Sequence, residues 1–236
     1  MPRILLTGRD NASSGNHLFP TIKHVATKKR TTLTPADFVQ VAIKYVDAHG
    51  LDALTMRALG EEMHVDATAL YRHFPNKQSL INAMVEWFLN EVLNKLDNSL
   101  SKPRDVIMDM ALVARSTFRI HPEIGTALTR SSGGDEAGRR TMVFGMNALQ
   151  RLGIGDDQVV HCYQAFESLV LGACVFDFSG APHHEEVRRV RYRSLEMPAF
   201  DLAGTNVKTV ADISDKAFVL AVDALIDRFV AMAASR

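Results

Sequence analysis

Leu54–Lys77 reads LTMRALGEEMHVDATALYRHFPNK, a pattern of two short helices separated by a tight turn. Thr55 carries a short hydroxyl that accepts hydrogen bonds from the unpaired amides of a first helical turn, and Glu61 and Glu62 are good helix formers in the segment it opens. A first helix is therefore expected over Met56–Met63. Asp66 offers a second N-cap, and Ala67 to His73 make about two turns before Pro75 ends the helix. Leu70 and Phe74, spaced i to i+4, point inward, which leaves Ala67, Thr68, Tyr71, Arg72 and His73 on an outer face. Small and hydrogen-bonding side chains there suit a groove surface, and the whole stretch has the shape of a helix-turn-helix reader of DNA.

Upstream, Thr34 followed by Pro35 is an N-cap with proline at the first helical position. The helix it opens runs to about His49 with Phe38, Val41, Ala42, Tyr45 and Val46 on one side, and Gly50 is expected to end it in the left-handed conformation. Downstream, Asn76 caps a helix that begins at Lys77 and continues through Leu80, Ile81, Met84, Trp87, Phe88 and Val92 to about Leu96. That helix is too long to serve the reader alone and should tie it to the C-terminal part of the chain. Residues 1–33 have no sustained period and contain NASSGN and the basic Thr27–Arg30 run TKKR. They read as a flexible basic arm in which Lys28, Lys29 and Arg30 either lie along phosphates or a minor groove, or form a solvated tail, or come after a start codon placed too early.

With 236 residues, 47% hydrophobic and 23% charged, the chain is a globular protein rather than a disordered or fibrous one. No unbroken apolar run reaches the ~18 residues of a membrane span, and Ile4–Leu6 is too short a core for a signal peptide, so a cytoplasmic protein without a membrane partner is expected. Lys plus Arg equals Asp plus Glu at 27 each. The distribution is mildly uneven: residues 1–80 carry 10 basic against 7 acidic groups and residues 81–236 carry 17 against 20. The positive end coincides with the reader. Cys162 and Cys174 fall in one expected helix, about 18 Å apart along its axis, so they cannot bridge within it and read as reduced core residues.

The remainder is helical by periodicity. Pro103 opens a helix to His121 with Val106, Ile107, Met110, Val113, Ala114, Thr117 and Phe118 at helical spacing; a short helix over Glu123–Thr129 and another over Glu136–Leu152 flank the loop SSGGDE. Gln158–Phe178 is apolar nearly all round and should be covered on every side. Residues 180–214 look irregular apart from one basic helix near Glu185–Ser194, and a final amphipathic helix is expected from Asp215.

Leu54–Leu80 resembles the tetracycline-repressor (TetR) family of bacterial regulators. The resemblance rests on LTMRAL, Val65 in the turn, LYRHFPNK and the preceding helix ending HG; it is specific over about residues 34–90 and only architectural beyond residue 100. Two residues depart from the pattern. His64 stands where the family usually has glycine, which implies some strain, and Asp66 stands where serine or threonine is common. The resemblance implies an all-α chain with an N-terminal three-helix helix-turn-helix DNA-binding domain over 34–80 and a C-terminal helical ligand-binding and dimerisation domain over 81–236. It implies Arg57 for a base edge or phosphate, with a guanidinium fork matching guanine. Ala67 and Thr68 would read bases, and Tyr71, His73 and Lys77 would hold phosphates and so fix register. Thr55 adds a hydroxyl at a helix N-terminus. Arg72 either reaches a base or turns to solvent, and Tyr71 is alternatively a half-buried core residue.

In that architecture the last two long helices pair across a two-fold axis, with Gly172 and Ala173 allowing close approach. Phe218, Val222, Leu225 and Phe229 form either a stripe for the partner or a closure of their own core. The middle helices would enclose a cavity for a small molecule, with Met108, Phe118, His121, Phe144, Met146, Tyr163, Phe166, Glu167, Asp177 and Phe178 as the candidate wall, and ten methionines suit an adaptable interior. Glu167 and Asp177 either counter a cationic ligand or face solvent. The function implied is a homodimeric repressor released from a palindromic double-stranded DNA operator by a small apolar or amphipathic molecule. The alternatives are an activator of the same family and a helical small-molecule-binding or scaffold protein with a degenerate reader. No GxSxG, GxxxxGK[ST] or HExxH motif is present, so no enzyme, cofactor or catalytic residue is expected. His183, His184, Glu185 and Glu186 are sequence neighbours that point apart, and no metal site is expected there.

Overall fold

Thr34 and Asp37 cap the first helix reciprocally: the Asp37 amide donates to the Thr34 hydroxyl while the Asp37 carboxylate accepts from the Thr34 amide. The structure, a computed structural model, describes residues 33–131, 136–178, 183–195 and 206–235. Among them are ten helices and no strand: α1 Pro35–His49, α2 Met56–Glu62, α3 Ala67–Tyr71, α4 Lys77–Lys95, α5 Pro103–Ile120, α6 Pro122–Leu128, α7 Glu136–Leu152, α8 Val159–Phe178, α9 His183–Arg193 and α10 Val207–Ala234. The basic arm with Lys28, Lys29 and Arg30, the middle of the SSGGDE loop, and the side chains of His183 and His184 lie outside the described residues. Thr34–Arg236 form one compact unit.

α1 lies against α2 and α4 through Phe38, Val39, Ala42, Ile43 and Val46, all buried. Its end differs from expectation: Gly50 has φ +83 but ψ 160, a conformation open to glycine rather than the left-handed helical one. α4 is the common element. It crosses residue 80 without a break, packs against α1 near the reader and against α5, α6 and α7 further on, and Glu86 on it accepts from the Ala137 amide in the first turn of α7.

α5, α7 and α8 make the centre of the C-terminal bundle, and α10 closes it against α8, α5 and α9. α7 and α8 approach closely because Gly145 faces the Tyr163 ring, where a Cβ would come within 2.6 Å of a ring carbon. α10 begins eight residues before the expected start at Asp215. Asn206 caps it through the Thr209 amide, and Val210 is fully buried, so residues read as irregular are the first turns of a long helix. Phe218, Val222 and Phe229 are buried within the chain and Leu225 is half-buried, so most of that stripe closes its own core.

α8 also departs from expectation. Averaged along its length rather than counted as an unbroken run, its hydropathy meets the length and composition of a membrane span. It nevertheless packs on α5, α7 and α10 and carries Glu167 and Asp177. It is not covered on every side: Val160 and Phe176 are 57% and 62% exposed, and Gly172 is open to space. Cys162 and Cys174 are free thiols buried in this helix, as expected.

Candidate functional site

The turn of the reader is built from backbone hydrogen bonds. The Val65 amide donates to the Gly60 carbonyl at 2.9 Å and the His64 amide to the Glu61 carbonyl at 3.1 Å, the paired bonds of a Schellman helix end. Such an end needs a left-handed residue, and His64 supplies it at φ 53. Gly60, which sequence reasoning passed over, is the tightest point: a Cβ there would meet the Val65 carbonyl oxygen at 2.9 Å and the Ala67 amide nitrogen at 3.3 Å. Only a glycine lets α2 pass this close to the start of α3. The signal was available, since a buried glycine inside a helical pattern marks close backbone approach.

Asp66 then caps α3 through the Thr68 amide at 2.8 Å, and that bond holds its carboxyl below the usual range. Leu70 and Phe74 are buried as expected, with Phe74 edge-on to Phe38 of α1. Thr68, Tyr71, Arg72 and His73 are exposed together, Tyr71 at 51%, while Ala67 is half-buried in the contact with Gly60. His73 leans its ring on Phe38 at 5.4 Å. Thr55 caps α2 through the Ala58 amide. Arg57 points outward and pairs with Glu61 one turn on at 2.9 Å, which raises the guanidinium's affinity for its proton. Lys77 is half-buried and donates to the Leu51 carbonyl at 3.2 Å, pinning the start of α4 to the turn after α1.

In the bundle, a cavity of about 330 Å³ lies between α4, α5, α6, α7 and α8. Four of the ten candidate residues line it: Phe118, Tyr163, Phe166 and Glu167. Its other walls include Phe88 and Val92 of α4, Met110 of α5 and Thr141 and Met142 of α7, none of which periodicity could separate from ordinary core. Met108, Phe144 and Met146 are half-buried elsewhere. Asp177 faces neither ligand nor solvent. Its carboxylate takes Arg115 at 2.7 Å and Arg188 at 2.8 Å, and Arg115 also reaches Asp215 at 2.9 Å. Phe178 lies under the Arg115 guanidinium, 4.8 Å from centroid to carbon, instead of on the cavity wall. His121 sits at the α5–α6 corner, its Nδ1 2.8 Å from Asp47 of α1 and its ring edge-on to Trp87 of α4.

Residues 38–84 match the profile described as bacterial regulatory proteins, tetR family, and the matched span contains the whole of α2, α3 and their turn. Residues 38–84 are therefore a TetR-family helix-turn-helix segment. The chain is 39% identical over 61 residues to the tetracycline repressor protein class A of Escherichia coli, a match covering 26% of this chain and 28% of that one. It spans 39% of the length of a second curated relative, the transcriptional repressor DrrR1 of Streptomyces coeruleorubidus, at 29% identity over 105 residues. The fold extends further. The Streptomyces coelicolor protein ActR in complex with actinorhodin superposes with a TM-score of 0.67 at 23% identity, over 85% of this chain and 98% of that one. BioQ with its double-stranded DNA operator gives 0.61 at 24% identity over 84% and 99%.

One route of contacts connects cavity to reader. Phe118 lines the cavity, stacks edge-on against Phe88 at 5.1 Å, and sits directly over Gly125, where a Cβ would come within 2.3 Å of its ring. The corner between Phe118 and Gly125 carries His121, which grips α1. Packed side chains therefore run from the cavity wall to the reader's first helix.

Proposed function

We propose that the chain is a homodimeric, ligand-responsive repressor that binds a palindromic operator through residues 34–80 and is released when a small apolar or amphipathic molecule occupies the cavity of residues 81–236. The observation that carries this reading is α4, which shares its first residue, Lys77, with the reader and lines the cavity through Phe88 and Val92. Thr68, Tyr71 and Arg72 form the groove surface, with Arg57 reaching from α2 once it trades Glu61 for a base or phosphate, and Thr55, Ala67, His73 and Lys77 complete the contact. Phosphate contacts position the reader and base contacts specify the site. The structures of BioQ with an operator and ActR with actinorhodin support the two halves of this reading.

The dimer uses the uncovered side of the bundle. With most of the Phe218 stripe internal, the apolar surface offered to a partner includes Val160 and Gly172 on α8 and Val219, Val230 and Leu220, the last 72% exposed, on α10. Two readers about one DNA turn apart, ~34 Å, then match a palindrome. Effector acts by preferring the spacing that does not fit the operator.

The test is a labelled palindrome from the upstream region of its own gene. Binding should weaken steeply with salt, and Arg57→Ala should cost about tenfold or more. A salt-insensitive complex, or one indifferent to Arg57→Ala, rules the reading out.

A further inference from the structure

Among the described residues lining the cavity, Glu167 is the only charged one, and no Lys, Arg or His joins it there. Its carboxylate makes no ion pair with a described residue. The Tyr163 hydroxyl, one turn back on α8, donates to it at a long 3.4 Å. The other acidic groups inside this part of the molecule are engaged: Asp177 is held by Arg115 and Arg188, Asp215 by Arg115 and Arg119, and Glu86 accepts from the Ala137 amide. A carboxylate on a mostly apolar wall, whose other polar groups are the hydroxyls of Thr129, Ser131, Thr141 and Tyr163, gains from a counter-charge. The rest of the wall supplies the complementary half, because Phe88, Phe118, Tyr163 and Phe166 present aromatic surface, which attracts organic cations.

We propose that the cavity selects a lipophilic organic cation, an aryl-alkyl amine or quaternary ammonium, whose positive nitrogen sits against Glu167 while its apolar body fills the space between α4 and α8. This rests on the reading that the cavity is the effector site, and it adds the charge that the effector carries. About 330 Å³ accommodates one aryl-alkyl ammonium of modest size. Glu167 sets the preference for charge, and the aromatic walls set the preference for a hydrophobic body.

The test compares three probes of one shape on the full-length protein by calorimetric titration: 4-phenylbutyltrimethylammonium, its neutral carbon isostere, and 5-phenylpentanoate. The cation should bind at least about tenfold more tightly than the isostere, with the anion weakest. E167Q should bring the cation-to-isostere ratio close to one, and E167K should invert the order in favour of the anion. The inference is overturned if the cation does not bind at millimolar concentration, if it binds no better than the isostere, or if its advantage survives E167Q. Operator release, measured with the same probes, separates this inference from the regulatory reading. Glu167-dependent cation binding without release leaves the charge preference standing and removes the cavity's regulatory role; release by the neutral or anionic probe alone does the reverse.

Discussion

Nδ1 of His121 lies 2.8 Å from Oδ2 of Asp47, which joins the corner between α5 and α6 to the reader's first helix. Both side chains are largely sheltered, at 14% and 28% exposure, and burial pushes the Asp47 carboxyl above its usual range while His121 draws it back. His121 does not line the cavity, and its contact with Asp47 makes it the candidate for coupling rather than binding. His121→Ala is expected to leave effector affinity for the DNA-free protein within about twofold and to reduce the factor by which effector weakens operator binding by about fivefold, roughly 1 kcal/mol of coupling. Asp47→Asn should do the same, and the double variant should add nothing further. Additive losses in effector titrations of operator release would place the coupling elsewhere.

The turn between α2 and α3 gives two opposite expectations. His64 occupies a left-handed conformation that costs a side chain about 1–2 kcal/mol, so His64→Gly should stabilise the protein by about 0.5 kcal/mol after the greater chain entropy of glycine is subtracted. Gly60→Ala should destabilise by about 1–3 kcal/mol, because the atoms its Cβ meets are backbone atoms of Val65 and Ala67 that cannot rotate away. Thermal unfolding of the two variants checks both signs. An unchanged melting temperature for Gly60→Ala would mean that α2 and α3 are not packed this closely.

Asp177 is buried between Arg115 and Arg188, and Arg188 is itself only 10% exposed. Asp177→Ala leaves a buried guanidinium without its carboxylate and should cost about 3 kcal/mol of stability. Its effect on ligand affinity should stay within about twofold, since the side chain is not on the cavity wall. Denaturant unfolding together with ligand titration distinguishes this from the role that sequence alone suggested. Full stability with lost ligand binding would return Asp177 to the site.

Burial pushes the Cys174 thiol up to about 12, with Arg115 drawing it back only in part, and burial raises Cys162 as well. The folded thiols therefore stay protonated across the neutral range, and a thiol reagent at about pH 8 should label neither cysteine until the protein unfolds. For Cys174 the sign comes from a folded value raised above the unfolded one of 9.0: the neutral thiol's contribution to stability is whole below about pH 9 and is lost as pH climbs towards 12. Rapid labelling of the native protein would show that α8 opens locally.

The reader was legible in the sequence because its determinants are local. Thr34, Thr55, Asp66 and Asn76 each cap the helix immediately after them through an amide two or three residues on, and Leu70 and Phe74 declare their inward face by spacing alone. His64 was marked as the strained position by the resemblance, which expects glycine there, and it has φ 53. The start of α10 was missed although Asn206 is a local cap and Val207, Val210 and Ala211 stand at helical spacing.

What separates Glu167 from Asp177 is not local at all. Both are acidic residues on the same apolar helix, ten positions apart, and nothing in their sequence surroundings distinguishes them. Asp177 is neutralised by Arg115 on α5 and Arg188 on α9, while Glu167 faces a space that no described cation enters. The same holds for the stripe Phe218, Val222 and Phe229, whose period announces a buried face without saying whose core buries it. Sequence by itself determined the helices, their caps and the reader, because hydrogen bonding and periodicity act over one or two turns. Only the tertiary structure decided which apolar face was left over and which acidic side chain of α8 met no described cation, since both depend on helices brought together from distant parts of the chain.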